Sequence, residues 1–149
     1  METVAAIMTT NLKVLNTSDN LYKAERLFKK HNIRHLPVIQ DKKIVGMLSI
    51  TDLMRISYAD VVDVDDDTVE SVVYDMFTLP QVMMHNVVSV NSKATIKEVA
   101  EILSTREFHA LPVVDGEDLV GIVTTTDLIK YFSSQLYGTG KQSRLIMGD

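Results

Sequence analysis

Two short patterns hold the side chains best suited to binding chemistry. In each, a hydroxyl residue is followed three positions later by an aspartate: Ser49 precedes Asp52, and Thr124 precedes Asp127. Each pattern stands where an apolar segment changes into a segment with helical spacing. An aspartate carboxylate accepts hydrogen bonds from hydroxyl groups, and a hydroxyl beside the free amides of a helix N-terminus suits an anion. The two patterns therefore predict sites for a ligand that carries both kinds of group.

An anionic ligand also needs a cation, and basic residues precede two Leu-Pro-Val sequences. They are Arg34 and His35 in the first half of the chain and His109 in the second. Arg34 is the strongest candidate because a guanidinium is always charged and binds oxyanions bidentately. On charge alone, the first site is predicted to hold a phosphate better than the second.

A purely structural interpretation of the same residues remains open. Asp52 and Asp127 would stabilise a helix N-terminus through the helix dipole without any ligand. Ser49 and Thr124 would then be ordinary residues at the ends of strands. His31 and His85 are interpreted as surface or packing residues.

The two patterns belong to an internal repeat with a constant offset of 75 residues. The offset relates Pro37 to Pro112, Gly46 to Gly121 and Asp52 to Asp127. The register holds without a gap over about 50 positions, which is the mark of a repeated structural unit.

Each repeat is predicted to fold as β-α-β-β-α. A polar turn between two apolar runs indicates a hairpin, and apolar residues at three- and four-residue spacing indicate the helices. The threonines at the start of each second helix are predicted to cap it. The predicted elements are strands at Leu12–Leu15, Leu36–Ile39, Ile44–Leu48 and Val87–Val90, helices at Leu21–His31 and Ile96–Glu107, and second helices that start at Thr51 and Thr126.

Four segments follow from this pattern: a first repeat at 4–58, an acidic linker with a short helix at 59–82, a second repeat at 83–134 and a frayed tail at 135–149. Asp67 and Glu70 resemble a helix-start pattern in the linker. The acidic run 63–67 lacks the glycine and glutamate spacing of a calcium loop. The histidines lack metal-ligand spacing, so no metal site is predicted.

Composition excludes several classes of protein. The 149 residues carry a formal net charge of -5 and no cysteine, which removes thiolate catalysis and disulfides and argues against binding to nucleic acid. No apolar run approaches the length of a membrane span, and no secretory signal precedes the first repeat. We therefore expect a cytoplasmic protein without membrane insertion.

The duplicated sequence resembles a known family. Two copies of an apolar-Pro-Val strand, a polar turn and an apolar-Val-Gly strand that ends in Thr-Asp-Leu are similar to the tandem CBS domain, or Bateman module, over residues 4–134. The resemblance implies an α/β (α+β) fold in which two β-α-β-β-α repeats pack as a pseudo-two-fold module. It also implies a homodimer that binds AMP, ADP, ATP or S-adenosylmethionine between the repeats and regulates an unidentified partner in trans.

The same resemblance assigns roles to individual residues. Asp52 and Asp127 match the residue that binds ribose, while Ser49 and Thr124 match the hydroxyl position. An apolar slot for adenine is expected on both halves. The complete predicted set is Leu12, Arg34, His35, Leu36, Pro37, Ser49, Thr51, Asp52, Val87, His109, Leu111, Pro112, Thr124, Thr126 and Asp127.

Two other functions compete with that of a ligand-binding regulator. An enzyme is disfavoured because the sequence has no cysteine, no Gly-x-Ser-x-Gly and no Walker pattern. A ligand-free scaffold for dimerisation or protein interaction is the stronger alternative, because a fold alone does not fix a function. The sequence leaves open which adenosine ligand binds, whether one or two sites are occupied, and how a dimer is arranged.

Overall fold

The computed structural model describes residues 2–59 and 74–136. The helix start predicted at Asp67 lies outside these residues, as does the predicted tail beyond residue 136. The chain divides into two compact units. The first-repeat unit consists of Leu12–Val88 with Glu117–Leu119, and the second-repeat unit consists of Met1–Asn11, Ser89–Gly116 and Val120–Asp149.

The described part of the first-repeat unit contains a three-stranded sheet, on which several helices are placed. The strands are β1 (Leu15–Asn16), β2 (His35–Gln40) and β3 (Lys43–Ser49), and the helices are α1 (Leu21–His31), α2 (Ile50–Ala59) and α3 (Leu79–Val82). β2 lies in the centre, parallel to β1 and antiparallel to β3. The predicted first strand at Leu12–Leu15 is displaced toward the C-terminus, since only Leu15 belongs to both.

Local sequence explains where these elements begin and end. The side chain of Asn20 accepts a hydrogen bond from the amide of Lys23 and so caps α1, and Asn32 ends the helix in the left-handed conformation. Asp41 and Lys42 both have positive φ, as a tight two-residue hairpin requires. The buried face of α1 is Leu21, Ala24 and Phe28, which pack in one core with residues of β2 and β3.

The second-repeat unit repeats this design with a shorter sheet. Its elements are a 3-10 turn (Val4–Ala6), α4 (Ile96–Thr105), β4 (Ala110–Asp115), β5 (Asp118–Thr124), which joins this unit from Val120 onward, and α5 (Thr125–Leu136). α4 begins with a capping box between Thr95 and Glu98. The strand predicted at Val87–Val90 is reduced to one parallel bridge between Val90 and Val113. The helix predicted to reach Glu107 ends two residues earlier.

The segment at the start of each sequence repeat belongs to the unit of the other repeat. In the first-repeat unit, Met84 exchanges backbone hydrogen bonds with Met47 of β3, at 2.8 and 3.1 Å. In the second-repeat unit, Thr9 makes the equivalent pair with Ile122 of β5, at 2.8 and 3.0 Å. Each hairpin is thus completed by a segment that the chain supplies from the start of the opposite repeat.

Two glycines permit this close pairing. A Cβ at Gly46 would lie 2.5 Å from the sulfur of Met83 and 2.9 Å from the carbonyl oxygen of Met84. A Cβ at Gly121 would lie 2.6 Å from the sulfur of Met8 and 3.1 Å from the carbonyl oxygen of Thr9. Distances this short mean that a side chain would push the added segment away from the hairpin.

Candidate ligand sites at two strand–helix junctions

The first-repeat site forms where β3 passes into α2. The backbone amide of Ser49 donates to Oδ2 of Asp52 at 3.0 Å, and the amide of Asp52 donates to Oγ of Ser49 at 3.0 Å. This reciprocal pair fixes both side chains in the first turn of the helix. His35 lies beside Ser49 in the sheet register, and the carbonyl of Arg34 accepts from the amide of Ile50 at 2.9 Å. The structure therefore brings four of the five predicted polar residues of the first site together, and the fifth, Thr51, lies in the first turn of α2.

The second-repeat site has the same backbone arrangement where β5 passes into α5. The amide of Thr124 donates to Oδ2 of Asp127 at 2.9 Å, and the amide of Asp127 donates to Oγ1 of Thr124 at 3.2 Å. The Thr124 hydroxyl also donates to Oδ2 of Asp127 at 3.2 Å. The carbonyl of His109 accepts from the amide of Thr125 at 3.0 Å.

The caps of α2 and α5 differ from the prediction. Both helices begin one residue earlier than expected, at Ile50 and Thr125, so the hydroxyls that cap them are those of Ser49 and Thr124. Thr51 and Thr126 lie inside the first turn and are exposed. The assignment of Thr51 and Thr126 as caps was wrong because the last residue of each strand already occupies the position between extended and helical backbone.

The helix N-termini are less available to an anion than the sequence suggested. At α2, the amide of Ile50 is bonded to Arg34 and that of Asp52 to Ser49. At α5, the amide of Thr125 is bonded to His109 and that of Asp127 to Thr124. Because these amides already donate hydrogen bonds within the protein, recognition of a phosphate at either site depends more on side chains than on helix amides.

Basic side chains are accessible to solvent at both sites. Arg34 and His109 are exposed, and His35 is half-buried. Sequence reasoning missed Arg55, whose Nη1 lies 3.4 Å from Oδ1 of Asp52 while the side chain remains 70% exposed. The three-residue spacing between an aspartate and an arginine on one helix was the available signal. Lys130 holds the equivalent place on α5.

The predicted adenine slot is only partly supported by side-chain exposure. Four of its six apolar residues are buried in the cores of their units, namely Leu36, Pro37, Leu111 and Pro112. Leu12 and Val87 are half-buried, so part of their apolar surface is accessible to a ligand. Leu12 shares a unit with Ser49, but Val87 lies in the first-repeat unit rather than with Asp127.

The described part of the chain offers no metal centre. Within residues 2–59 and 74–136, no group of three His, Asp or Glu side chains is placed to hold a metal ion. Over the same residues, no helix combines the length and the apolar character that crossing a bilayer demands.

The duplicated β-α-β-β-α unit and its paired junction sites define a class of protein. The family model of the CBS domain matches the chain twice, at residues 4–59 and 79–134. The chain belongs to the CBS-domain family and contains the domain as a tandem pair. The resemblance seen in the sequence and the predicted fold class are thereby confirmed.

Particular relatives resemble the chain over most of its length. The protein MJ1225 of Methanocaldococcus jannaschii is 26% identical over 89% of this chain, which spans 48% of that protein. The CBS domain-containing protein YhcV of Bacillus subtilis is 27% identical over 86% of this chain and 84% of its own length. Among solved structures, CBSX2 of Arabidopsis thaliana in complex with AMP is 26% identical, with a TM-score of 0.75, and the match covers 90% of this chain and 98% of that one.

Proposed function

We propose that this protein is a non-enzymatic regulator that binds an adenosine nucleotide at the first-repeat site and acts on a separate effector protein. The observation that carries the proposal is the oriented carboxylate of Asp52, at a junction that also holds the exposed cations Arg34 and Arg55. The AMP complex of the related CBSX2 supports the ligand class.

Different side chains of the first-repeat site bind the ribose and the phosphate of the ligand. The carboxylate of Asp52 accepts from the two ribose hydroxyls, as its position in the family pattern implies. The Ser49 hydroxyl accepts from the Asp52 amide and keeps its own hydrogen to donate to a phosphate oxygen. Arg34 supplies the positive charge that a phosphate needs in water-exposed surroundings.

Charge also favours one group of adenosine ligands. AMP, ADP and ATP carry negative phosphates, whereas S-adenosylmethionine carries a positive sulfonium. Two arginines at the first-repeat site favour the nucleotides over S-adenosylmethionine. The second-repeat site has one lysine and a histidine in place of the arginines, so it is proposed to accept a less anionic adenosine ligand.

Isothermal titration of the nucleotide-stripped protein with AMP, ADP, ATP and S-adenosylmethionine tests the proposal. We expect saturable binding of the nucleotides and its loss when Asp52→Asn and Asp127→Asn are combined. Asp19→Asn is the matched control, because Asp19 also accepts from a nearby amide, that of Asn16, outside either site. Absence of binding by all four ligands would overturn the proposal.

A ligand-free scaffold is the second candidate, and exposed apolar residues favour it. Met54 on α2 and Ile129 on α5 occupy equivalent positions in the two repeats and are 47% and 67% exposed. Large apolar side chains left open to water often mark protein interfaces. We propose that they contribute to a homodimer, whether or not a ligand binds.

Light scattering after size-exclusion chromatography tests the dimer independently of the ligand. Met54→Glu together with Ile129→Glu should convert dimers to monomers at micromolar concentration, because a buried unpaired carboxylate is costly. Met76→Glu, at another exposed apolar position, is the control. A wild-type protein that is monomeric at all concentrations would contradict the dimer.

A further inference from the structure

The second-repeat unit has an open groove between α4 and α5. It encloses about 560 Å³, and its lining includes Ala100 and Ser104 from α4, Tyr131 and Phe132 from α5, and Glu2. The Phe132 side chain remains 45% exposed beside this space, with its ring 5.5 Å from that of Tyr131. We call this feature the α4–α5 groove.

The equivalent surface of the first-repeat unit is covered by the chain itself. Lys97 and Ala100 of the groove correspond to Tyr22 and Glu25 of α1 at the offset of 75 residues. Tyr74 packs there, its ring 5.1 Å from that of Tyr22 in an edge-on arrangement. Its hydroxyl bonds to the Glu25 carboxylate, and the side chain is only 5% exposed. A residue from the segment that follows α2 therefore covers the first-repeat surface.

We propose that residues Leu145–Met147 of this chain bind in the α4–α5 groove. They belong to the segment that follows α5, just as Tyr74 belongs to the segment that follows α2. Position 149 is the equivalent of Tyr74 at the offset of 75 residues, so the chain extends past α5 as far as the position that corresponds to Tyr74. The proposal does not depend on nucleotide binding.

Length and chemistry both fit this occupant. From the end of α5 at Leu136, nine residues lead to Leu145 and span up to about 30 Å when extended. Phe132 lies about 6 Å, roughly one helical turn, before that end. Leu145, Ile146 and Met147 are consecutive apolar residues that follow Arg144. The groove offers aromatic and aliphatic surface, and its lining carries the two carboxylates of Glu2 and Glu101 against the one ammonium group of Lys97.

Disulfide trapping in the full chain tests the proposal, because the protein has no native cysteine. A pair made by Ser104→Cys and Ile146→Cys should oxidise within one chain, at least tenfold faster than a control pair made by Lys29→Cys and Ile146→Cys. Lys29 is the equivalent of Ser104 in the first-repeat unit. Equal rates for the two pairs overturn the proposal. A disulfide formed only between chains, faster at higher concentration, would also overturn it and would assign the groove to a second copy.

Fluorescence provides a second readout that does not need oxidation. The chain has no tryptophan, so Ile146→Trp introduces a single reporter. Its emission should lie to the blue of that of an exposed indole and should shift to the red when Ala100→Arg fills the groove. Ser89→Arg, at an exposed position outside the groove, should leave the emission unchanged. Emission of an exposed indole in all three proteins would overturn the proposal.

Discussion

The two junction sites share a backbone but differ in the polar atoms they leave for a ligand. At the first, the Ser49 hydroxyl accepts from an amide, and Oδ1 of Asp52 lies near Arg55. At the second, the Thr124 hydroxyl also donates to Asp127, so its hydrogen is already used. The comparison shows that duplication preserves the geometry of a site while single substitutions change its charge and its free donors. Matched variants in the two repeats can therefore separate the two sites and the two units.

The largest effect is expected from removing the charge of one aspartate. Asp52→Asn keeps an oxygen that can accept from the Ser49 amide but weakens the acceptor for ribose. Charge-assisted hydrogen bonds contribute about 1.5–3 kcal/mol each, so AMP affinity at the first site should fall roughly a hundredfold or more. Titration calorimetry should show one class of site lost and the other retained.

Asp127→Asn is the matched variant and should leave the tight phase of AMP binding intact. Circular dichroism of both variants checks that α2 and α5 persist. If either variant alone abolished all binding, the two sites could not be independent, and the comparison between them would fail.

Substituting alanine for each of the two hairpin glycines allows the loss of stability to be compared between the two units. Gly46→Ala should destabilise its unit by about 1–3 kcal/mol, the usual cost of overpacking, because the Met84 carbonyl oxygen would lie 2.9 Å from the new Cβ. Gly121→Ala should cost less, since the Thr9 carbonyl oxygen would lie 3.1 Å away. Urea unfolding followed by circular dichroism measures both.

A larger loss for Gly121→Ala than for Gly46→Ala would contradict this ranking. Gly116→Ala provides a control of another kind. Gly116 has φ of +62°, and no atom lies within 4 Å of the place that a methyl group would take. The cost of this substitution therefore reports backbone strain without a steric clash.

Neutralising the basic residue before each Leu-Pro-Val strand should distinguish the contribution of the phosphate to binding affinity from that of the nucleoside. Arg34→Gln should weaken AMP binding about tenfold, the loss of one charge-assisted contact, and leave adenosine binding nearly unchanged. His109→Gln should have a smaller effect, since an imidazole cannot bind an oxyanion through two parallel N–H groups as a guanidinium does. Calorimetry with AMP and with adenosine measures the affinity of each variant relative to wild type for both ligands.

An equal loss for AMP and adenosine in Arg34→Gln would show that the arginine does not act through phosphate. The same measurements on Arg55→Gln then decide whether the second arginine supplies that charge instead.

The smallest effect is a pH dependence that Asp115 contributes in the second repeat. Hydrogen bonds from the Ser92 hydroxyl and amide, at 2.6 and 2.9 Å, hold the pKa of Asp115 below its usual value of 3.8. A lowered folded-state pKa gives stability that is present above the unfolded value and is lost as pH falls through the folded one. Asp115→Asn should therefore be less stable than wild type at pH 6, and the difference should vanish toward pH 2.

Urea unfolding between pH 2 and 7 measures this difference. Gln40 occupies the equivalent position in the first repeat and does not titrate, so Gln40→Asn should give a difference that is independent of pH. A constant difference for Asp115→Asn would argue against its bond to Ser92 in solution.

Sequence reasoning predicted what depends on local pattern. The bounds of α1 match the predicted Leu21–His31, because an apolar face, a capping asparagine and a terminal Asn32 all coincide. The hairpins were found from their polar turns. The residues Asp52 and Asp127 were correctly placed at strand–helix junctions, and their role in ribose binding stays a prediction.

Long-range and atomic details could not be predicted from the sequence. The pairing of Thr9 with Ile122 joins residues more than a hundred positions apart, and no local pattern announces it. The caps were misplaced by two residues because Ser49 and Thr51 are chemically alike as capping residues. The apolar run at 36–39 indicates a buried strand, but it does not specify which elements pack against Leu36 and Pro37 in the core.

Each sequence repeat supplies its leading segment to the hairpin of the other repeat. This arrangement determines what happens when the chain is divided between the repeats. A cut between the repeats would leave the hairpin of β2 and β3 on one fragment and its partner Met84 on the other, and it would separate Thr9 from Ile122. Neither fragment would be a finished domain, but the two mixed together would hold complementary parts. A protein with a single repeat would complete its hairpin by forming a homodimer, in which each chain supplies its leading segment to the other.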